Sequence, residues 1–292
     1  MSELILLRDE PAWYARLVSA GKGAVNLFPV VWLVLVGGGG LVAGLLLADA
    51  STTPSSAILE PPGFDRLLGT DSLGRDVFKR VLAGASVSIR VAFLAVAIGI
   101  VCGGLLGMIA AIVPRFADET IMRSFDVILA FPTIVLALLV SLLLGPALVF
   151  VAILIGVVIS PQIARLVRSR VVVELQLGYV DAERSTGASW SRILGVHVLR
   201  NIAAPIGAYS LLLVADAMLF EAALSFVGIG IQPPRASWGN MILEGQALLI
   251  GGSWWVSIFP GAVLFLTVMS LNLVADRWLT PADFDIRHQT AK

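Results

Sequence analysis

The side chains with the richest chemistry lie together in one polar run, residues 179–201, between two long apolar stretches. A glycine at its centre, Gly187, can take a positive φ at little cost, and Ser189 is a residue type that caps a following helix. The spacing predicts two short helices joined by a sharp turn, a rigid element suited to a groove on a soluble partner. The candidate contact residues are Tyr179, Asp181, Ala182, Glu183, Arg184, Gly187, Ala188, Ser189, Arg192 and His197.

The second of these short helices is predicted to be amphipathic. Its apolar residues at helical spacing are Trp190, Ile193, Leu194 and Val198. Arg192 lies beside this apolar face, where its guanidinium could reach an acidic partner. A surface of this kind also suits the lipid headgroup region. Docking to a soluble partner and a hairpin lying on the membrane therefore stand as alternative interpretations.

A second charged cluster precedes the second apolar stretch. Its members are Asp71, Arg75, Asp76, Lys79 and Arg80. Opposite charges recur three and four residues apart, which would stabilise an exposed helix by about 0.2–0.5 kcal/mol per pair. We expect such a helix over about 74–87. The cluster is either an ordinary solvated helix face or a docking surface for a protein outside the membrane.

A group of helix-breaking residues follows the fifth apolar stretch. The group consists of Gly228, Gly230, Pro233 and Pro234, with Trp238 shortly after. Non-helical backbone is tolerated at membrane depth only where protein buries it or water lines it. We therefore expect this segment to fold back as part of an external gate.

Two carboxylates belong to the fifth apolar stretch, with Asp216 near its middle and Glu221 just beyond. Ionisable side chains inside a membrane are costly and usually mark a function. We expect Asp216 to face a translocation path or a polar contact between helices, and we place Glu221 with it as a candidate for the path.

Motifs for catalysis or cofactor binding do not occur in the sequence. A phosphate-binding loop needs GxxxxGK[ST], and the only Gly-Lys pair, Gly21–Lys22, lacks both the upstream glycine and the following hydroxyl. The two histidines, His197 and His288, have no cysteine neighbours, and Cys102 is the only cysteine. We expect no catalytic residue, no metal site and no cofactor in this chain, and therefore no hydrolysis of ATP by it.

Composition places the chain in a membrane. Hydrophobic residues make up 58% and charged residues 14% of the 292 residues, and the mean hydropathy is +0.94. Soluble domains carry about 25% charged residues. Six apolar runs are long enough for helices of roughly 20 residues, at about 28–48, 91–113, 125–145, 147–164, 203–226 and 253–275. The expected fold class is an all-α integral membrane protein with six transmembrane helices.

Charge placement orients these spans. With the N-terminus in the cytoplasm, 14 of the 20 lysines and arginines fall on the inside, in keeping with the positive-inside tendency. The predicted organisation is a cytoplasmic N-terminal segment, a first transmembrane helix, an external loop with a short helix, a transmembrane core and a cytoplasmic tail. Their bounds are 1–27, 28–48, 49–87, 88–276 and 277–292, with the cytoplasmic loop of the core at 165–202.

Small residues recur every fourth position in the second span. They are Ala95, Gly99, Gly103, Gly107 and Ala111. This spacing lets two helices approach closely. The partner helix belongs either to the same chain or to a second subunit, and the sequence leaves both interpretations open.

The polar run resembles the coupling loop of ABC importer permeases, known as the EAA loop, and most closely that of the dipeptide/oligopeptide/nickel branch. The matching residues are Tyr179, Ala182, Arg184, Gly187, Ala188, Ser189, Arg192, Ile193, His197, Leu199 and Asn201. The chain departs from the pattern at Asp181, where glutamate is usual, at Glu183, where alanine is usual, and at Arg200, where proline is expected.

Two further segments resemble the same branch. The first, residues 68–77, reads LGTDSLGRDV, and the second, residues 221–234, reads EAALSFVGIGIQPP with SWG at 237–239. Weaker matches occur at Asp126, at residues 129–132 and at residues 259–261. In all, the resemblance spans about 64–276, in the order and topology of the C-type subunit. The resemblance implies the fold of a type I ABC importer permease in the plasma (inner) membrane of a prokaryote, with both termini cytoplasmic.

The resemblance also implies a set of partners. These are a homologous B-type permease subunit, two ABC ATPase domains or subunits that bind ATP and Mg²⁺, an extracytoplasmic solute-binding protein and the lipid bilayer, without nucleic acid. The implied function is one half of a pore that imports peptides or similar small solutes, with nickel and other solutes as alternatives. A secondary transporter working without an ATPase and a membrane enzyme are the competing classes.

Overall fold

The computed structural model describes residues 27–46, 52–144 and 147–289. Apart from residue 27, the predicted N-terminal segment 1–27 lies outside the described residues, as do residues 145–146, where the sequence predicts a tight external turn. Within the described ranges the chain is helical, and its single isolated β-bridge joins Thr70 to Asp76. The predicted all-α class is confirmed.

The helices follow one another along the chain with few long connections. They are α1 (Phe28–Leu46), α2 (Val77–Ile112), α3 (Arg115–Ala130), α4 (Thr133–Leu144), α5 (Leu148–Glu174), α6 (Gly178–Ser185), α7 (Trp190–Arg192), the π-helical stretch Ile193–Val198, α8 (Leu199–Phe226), α9 (Trp238–Gln246) and α10 (Trp255–Gln289). By length and composition four helical stretches of the described chain can cross a membrane: Val77–Ile112, Leu148–Glu174, Trp190–Phe226 and Trp255–Trp278. A shorter apolar helix, Phe28–Gly44, corresponds to the first predicted span.

The predicted third span is not one continuous helix. α3 ends at Ala130, and α4 begins at Thr133. Pro132 is the physical reason, because a proline disfavours the helical conformation of the residue before it, and Phe131 is extended with φ −85° and ψ 134°. The count of six uninterrupted transmembrane helices is therefore not matched.

Helix α2 unites the helix expected over about 74–87 with the second span that follows it. Its 36 residues run without a break from Val77 to Ile112. At 1.5 Å per residue it is about 54 Å long, well beyond the roughly 30 Å of a hydrocarbon core. Its first turns therefore extend outside the bilayer and carry the outer segments described below.

The small-residue stripe of α2 packs against α5 of the same chain. A Cβ atom placed on Gly103 would lie 2.3 Å from the Ser160 carbonyl oxygen, and one on Gly107 would lie 2.4 Å from that of Ala164. Both distances are too short for a side chain, so the two backbones are in direct contact. Of the two interpretations of the stripe, packing within the chain is confirmed.

The main hydrophobic core lies between α2, α5 and α8 and extends to the buried face of the 179–201 run. A second, smaller core covers the outer end of α2, where α9 and the start of α10 meet it. Its buried members are Val77, Val81, Ala236, Met241, Trp255 and Val256. The 179–201 run and the segments around the N-terminal end of α2 are thus both packed onto the long helices.

Candidate functional site

The 179–201 run, from here on the coupling loop, has the predicted helix–turn–helix form. α6 ends at Ser185, and Gly187 turns the chain with a φ of 83°. Ser189 accepts a hydrogen bond from the Arg192 backbone N–H at 3.4 Å and caps the next helix. The positive φ and the cap are the two local signals that the sequence carried.

The second half of the loop differs from the prediction in how it ends. α7 contains only Trp190–Arg192, and the chain continues through the π-helical stretch Ile193–Val198 directly into α8. Arg200 stands where the resembling family has proline, so nothing in the backbone forces a break there. The loop is consequently joined to a transmembrane helix without a hinge.

The apolar face of the loop is mostly buried against the chain itself. Ile193, Leu194 and Val198 belong to the main hydrophobic core. Trp190 is the exception, because 47% of it is exposed, and the Arg184 guanidinium lies 5.2 Å from the centre of its indole ring. This cation–π contact leaves an aromatic and a basic group together on the loop surface.

A polar tie joins the start of the loop to the helices on either side. The Tyr179 hydroxyl donates to Glu174 Oε1, the last residue of α5, at 2.9 Å. The Asn201 amide, in the first turn of α8, donates to the same carboxylate oxygen. Burial, and then the hydrogen bond to Glu174, raises the pKa of Tyr179 to about 12. Three separate elements therefore meet on one carboxylate.

His197 lies between the two short helices of the loop. Its Nε2 atom is 3.4 Å from Glu183 Oε1, and its ring centre is 6.5 Å from that of Tyr179. The angle does not make a hydrogen bond, and Nε2 has no other hydrogen-bond partner among the described residues. The contact with Glu183 brings α6 and the π-helical stretch together.

The face of the coupling loop that points away from the helices is not covered by any other described residue. The space around Gly187 is open, because a Cβ atom added there would have no neighbouring atom within 4 Å. The exposed predicted contact residues are Asp181, Ala182, Arg184, Gly187, Ser189 and Arg192. Both signs of charge are available on this surface.

The external charged cluster is buried, so the expectation of an exposed helix face is wrong for most of it. Only 1% of Asp71, 5% of Arg75 and none of Arg80 is exposed. Arg75 Nε lies 2.7 Å from Asp71 Oδ2, and Arg80 Nη1 lies 2.6 Å from Glu244 Oε2. Two arginines and two acids thus form one ion cluster beneath the outer surface.

The local reason for this burial is that the segment before α2 is a turn. Gly69 and Gly74 have φ values of 74° and 71°, and the helix begins only at Val77. Asp76 is its N-cap and accepts from the Phe78 and Lys79 backbone N–H groups. Glu244 arrives from α9, far along the sequence, and no spacing rule could have paired it with Arg80.

The glycine- and proline-rich segment folds back onto α2. Gly228 takes a φ of 84°, and Gly230 is so close to Ser225 that a Cβ atom would lie 2.1 Å from its Oγ. Pro233 and Pro234 are exposed and joined by a cis peptide bond. The segment is called the external segment from here on and comprises residues 227–246, including α9.

Trp238 anchors the external segment rather than offering a docking contact. It is fully buried, and its indole Nε1–H donates to the Val81 carbonyl oxygen at 2.9 Å. Ser237 and Asn240 form a reciprocal capping box at the start of α9. The segment is therefore a short capped helix fixed against the outer end of α2.

The two candidate path carboxylates occupy opposite surroundings. Asp216 is exposed on α8, whereas Glu221 is completely buried five residues later. The Tyr209 hydroxyl, two helical turns before Asp216, donates to Gln162 Oε1 of α5 at 3.4 Å; Gln162 is exposed and Tyr209 is half-buried. The structure thus separates two residues that the sequence had grouped together.

No sequence motif marks three residues that organise these sites: Glu174, Glu244 and Ser88, whose hydroxyl donates to Glu221 Oε2 at 2.9 Å. Of these three, only Glu244 could have been recognised from the sequence, because a single acidic residue in an apolar external segment requires a partner. Glu174 and Ser88 stand in ordinary helical contexts, and only the packing of the chain reveals what they bind.

The fold defines the class of protein. The chain superposes on an inward-facing chain of the MetNI methionine ABC transporter with a TM-score of 0.57 at 19% sequence identity, covering 70% of this chain and 96% of the other. A second crystal form of that transporter gives a TM-score of 0.58 over 70% and 97%. The architecture is that of a type I ABC importer permease.

Residues 103–288 match the family of binding-protein-dependent transport system inner membrane components, and the chain belongs to this family. A putative peptide transport system permease protein of Brucella suis is 40% identical over 74% of this chain and 73% of its own length. The di/tripeptide transport system permease protein DppC of Pseudomonas aeruginosa is 40% identical over 72% and 69%. The probable D,D-dipeptide permease DdpC of Escherichia coli is 37% identical over 78% and 76%.

Membership of this family settles the general role. The chain is a multi-pass membrane permease subunit of an ABC importer. In general terms such a subunit works with a second permease, an ATPase and a binding protein.

Proposed function

We propose that this chain forms half of the pore of an ATP-driven peptide importer. The observation that carries the proposal is its likeness to di- and tripeptide permeases across the membrane core, at 37–40% identity. The test is uptake of labelled dipeptides by proteoliposomes containing the full transporter. Uptake that needs ATP and the binding protein supports the proposal, and uptake of nickel or another solute with none of any peptide contradicts it.

The coupling loop is the contact with the ATPases in this proposal. Its exposed surface carries Asp181, Arg184 and Arg192 around an open turn at Gly187, and the described part of the chain covers none of them. A mixed-charge surface on a short rigid element suits a groove on a soluble subunit. ATP and Mg²⁺ are held by those subunits, while this chain needs no cofactor of its own.

Movement passes from the loop to the membrane helices through two kinds of contact. Ile193 and Val198 are embedded in the main core, and the hydrogen bonds on Glu174 join the loop to α5 and α8. Shifting a two-state bundle from 1:99 to 99:1 takes about 5.5 kcal/mol. Closure of the ATPases supplies this free energy, and a loop without a hinge transmits it.

The exposed face of α8 is the wall of the translocation path in this proposal. A carboxylate at the middle of a membrane span costs about 2.5–3.5 kcal/mol when it faces lipid. Asp216 therefore faces water or the second permease, and Tyr209 and Gln162 extend the same polar face towards the cytoplasm. Asp216→Asn should lower the uptake of peptides while leaving ATPase binding unchanged. Unaltered uptake and selectivity would remove Asp216 from the path.

Both termini lie in the cytoplasm of a prokaryote and the external segment lies outside the inner membrane in this proposal. The exposed Pro233 and Pro234 are then available to the solute-binding protein, whereas Asp71, Arg75 and Trp238 act by holding that surface in shape. A protease-sensitive tag after residue 292 should be digested only when the cytoplasmic side is opened. Digestion in intact cells with a permeable outer membrane would contradict this orientation.

A further inference from the structure

Glu221 is a fully buried carboxylate that the coupling mechanism does not use. None of it is exposed, and it takes part in none of the ion pairs between described residues. A buried carboxylate without a cation is costly unless hydrogen bonds compensate for the lost water. Its partners therefore decide what it does.

Two serine hydroxyls donate to Glu221 from two different helices. Ser88 of α2 donates to Oε2 at 2.9 Å, and Ser225 of α8 donates to Oε1 at 2.8 Å. Both serines are buried, and each carboxylate oxygen has its own donor. The carboxylate thus joins α2 to α8 close to their outer ends.

The two serines link Glu221 to the external segment. The Trp238 backbone N–H donates to Ser88 Oγ at 3.3 Å, and the Ile231 backbone N–H donates to Ser225 Oγ at 3.1 Å. A hydroxyl oxygen has two lone pairs, so each serine can accept the backbone N–H and still donate its own proton to Glu221. Glu221 is therefore one hydroxyl away from the external segment at two points.

The start of α9 adds a favourable field. Trp238 is the first residue of this nine-residue helix, and its N–H is one of the groups that carry the partial positive charge of a helix N-terminus. Ser88 relays that N–H to the carboxylate. Glu221 is thus linked to two hydroxyls and, through them, to the backbone of the external segment.

We propose that Glu221 is a positioning residue that fastens the external segment to α2 and α8 as one unit. The far part of the same segment is held independently, because Glu244 of α9 pairs with Arg75 and Arg80. Because it is held at both places, the external segment does not move as a separate gate. It moves with the outer ends of α2 and α8.

Hydrogen exchange of Glu221→Gln against the unaltered protein tests the fastening, in the full transporter in lipid nanodiscs at neutral pH. Because the glutamine amide puts an N–H donor where one carboxyl oxygen accepts from a serine, Glu221→Gln should speed exchange of the Ile231 and Trp238 amides roughly tenfold or more. The coupling loop should be unchanged. Glu60→Gln is the matched control, the same change at an exposed external glutamate, and should alter neither region. Unchanged exchange in the external segment overturns the proposal.

Ser88→Ala provides a second route if Glu221→Gln does not fold. It removes one donor and leaves the carboxylate in place, so the Trp238 amide should exchange faster, while the Ile231 amide changes less. Equal acceleration of both, or of neither, contradicts the two-donor arrangement. A further consequence, fewer peptides moved per ATP in Glu221→Gln, rests on the proposed function, whereas the exchange result does not.

Discussion

The Tyr179 hydroxyl and the Glu174 carboxylate, 2.9 Å apart, join the coupling loop to the C-terminal end of α5. Asn201 adds a hydrogen bond from α8 to the same carboxylate. A force applied to the loop therefore reaches two transmembrane helices through one acidic side chain. This relationship leads to the first two predictions.

Tyr179→Phe should weaken coupling while the loop stays folded. The substitution keeps the ring against His197 and removes only the hydroxyl, whose hydrogen bond to a carboxylate is worth about 1–2 kcal/mol at a partly exposed site. We expect a lower ratio of substrate moved to ATP hydrolysed in the reconstituted transporter. Ser185→Ala is a suitable control, since it removes an exposed hydroxyl of the same loop that bonds only within α6. An unchanged ratio would show that the hydrogen bond between Tyr179 and Glu174 does not contribute to coupling.

The stability of the loop should fall at high pH as Tyr179 ionises. Its pKa is raised from 10.0 to about 12, so the folded state favours the neutral phenol. The stabilisation is complete below pH 10 and is lost as the pH rises towards 12, since the unfolded chain loses its proton first. Spectrophotometric titration, with Tyr179→Phe as the reference, should show this phenol ionising later than an ordinary tyrosine. Ionisation at the ordinary pH contradicts the prediction.

Gly187→Ala should reduce binding to the ATPases without unfolding the membrane helices. The space at Gly187 is open, so the cost comes only from its φ of 83°, about 1–2 kcal/mol for a residue with a Cβ atom. Co-purification of the ATPase subunits measures the effect. Gly178→Ala, at a glycine with equally open surroundings and no positive φ, should bind normally. Equal binding by both variants would exclude a role for the turn.

Gly103→Ala should destabilise the bundle much more than Gly104→Ala. The added methyl group at Gly103 would lie 2.3 Å from the Ser160 carbonyl oxygen, whereas no atom lies within 4 Å at Gly104. Forcing the helices apart costs about 1–3 kcal/mol. Thermal unfolding in detergent should show a lower midpoint for the first variant only. Matched midpoints would mean that α2 and α5 are not in close contact.

Glu244→Ala should loosen the outer end of the protein. It leaves Arg75 and Arg80 sharing Asp71, and the loss of one partner from a buried ion pair costs about 3–5 kcal/mol, with the lower end expected because Glu244 is 22% exposed. The comparison is Glu119→Ala, which breaks an exposed pair with Arg115 and should cost less than about 1 kcal/mol. Similar losses in the two variants would contradict the burial of the cluster.

Local signals in the sequence were sufficient for the coupling loop and insufficient for the outer face. Gly187 and Ser189 determine the turn and the cap through their own backbone and side chain, so their pattern predicts the geometry. The break of the third span could also have been predicted from Pro132, although the hydropathy of the span alone does not indicate it.

The outer face depends instead on contacts between residues far apart in the chain. Arg80 and Glu244 are separated by 164 positions, and Ser88 and Glu221 by 133. The spacing of the charged residues within 71–80 predicted ion pairs on an exposed helix face. It could not show that another helix, α9, covers these side chains. For the same reason, the sequence did not identify the helix that contacts the small residues of α2.

The account depends most on the coupling loop binding an ATPase in the cytoplasm. The most direct measurement is cross-linking from a cysteine introduced at the exposed Ala182, in the assembled transporter with Cys102 replaced by serine. We predict a cross-link to an ATPase subunit that is formed efficiently and changes with bound nucleotide. Labelling of that cysteine by a membrane-impermeant reagent from outside, with no cross-link to any ATPase, would contradict the account.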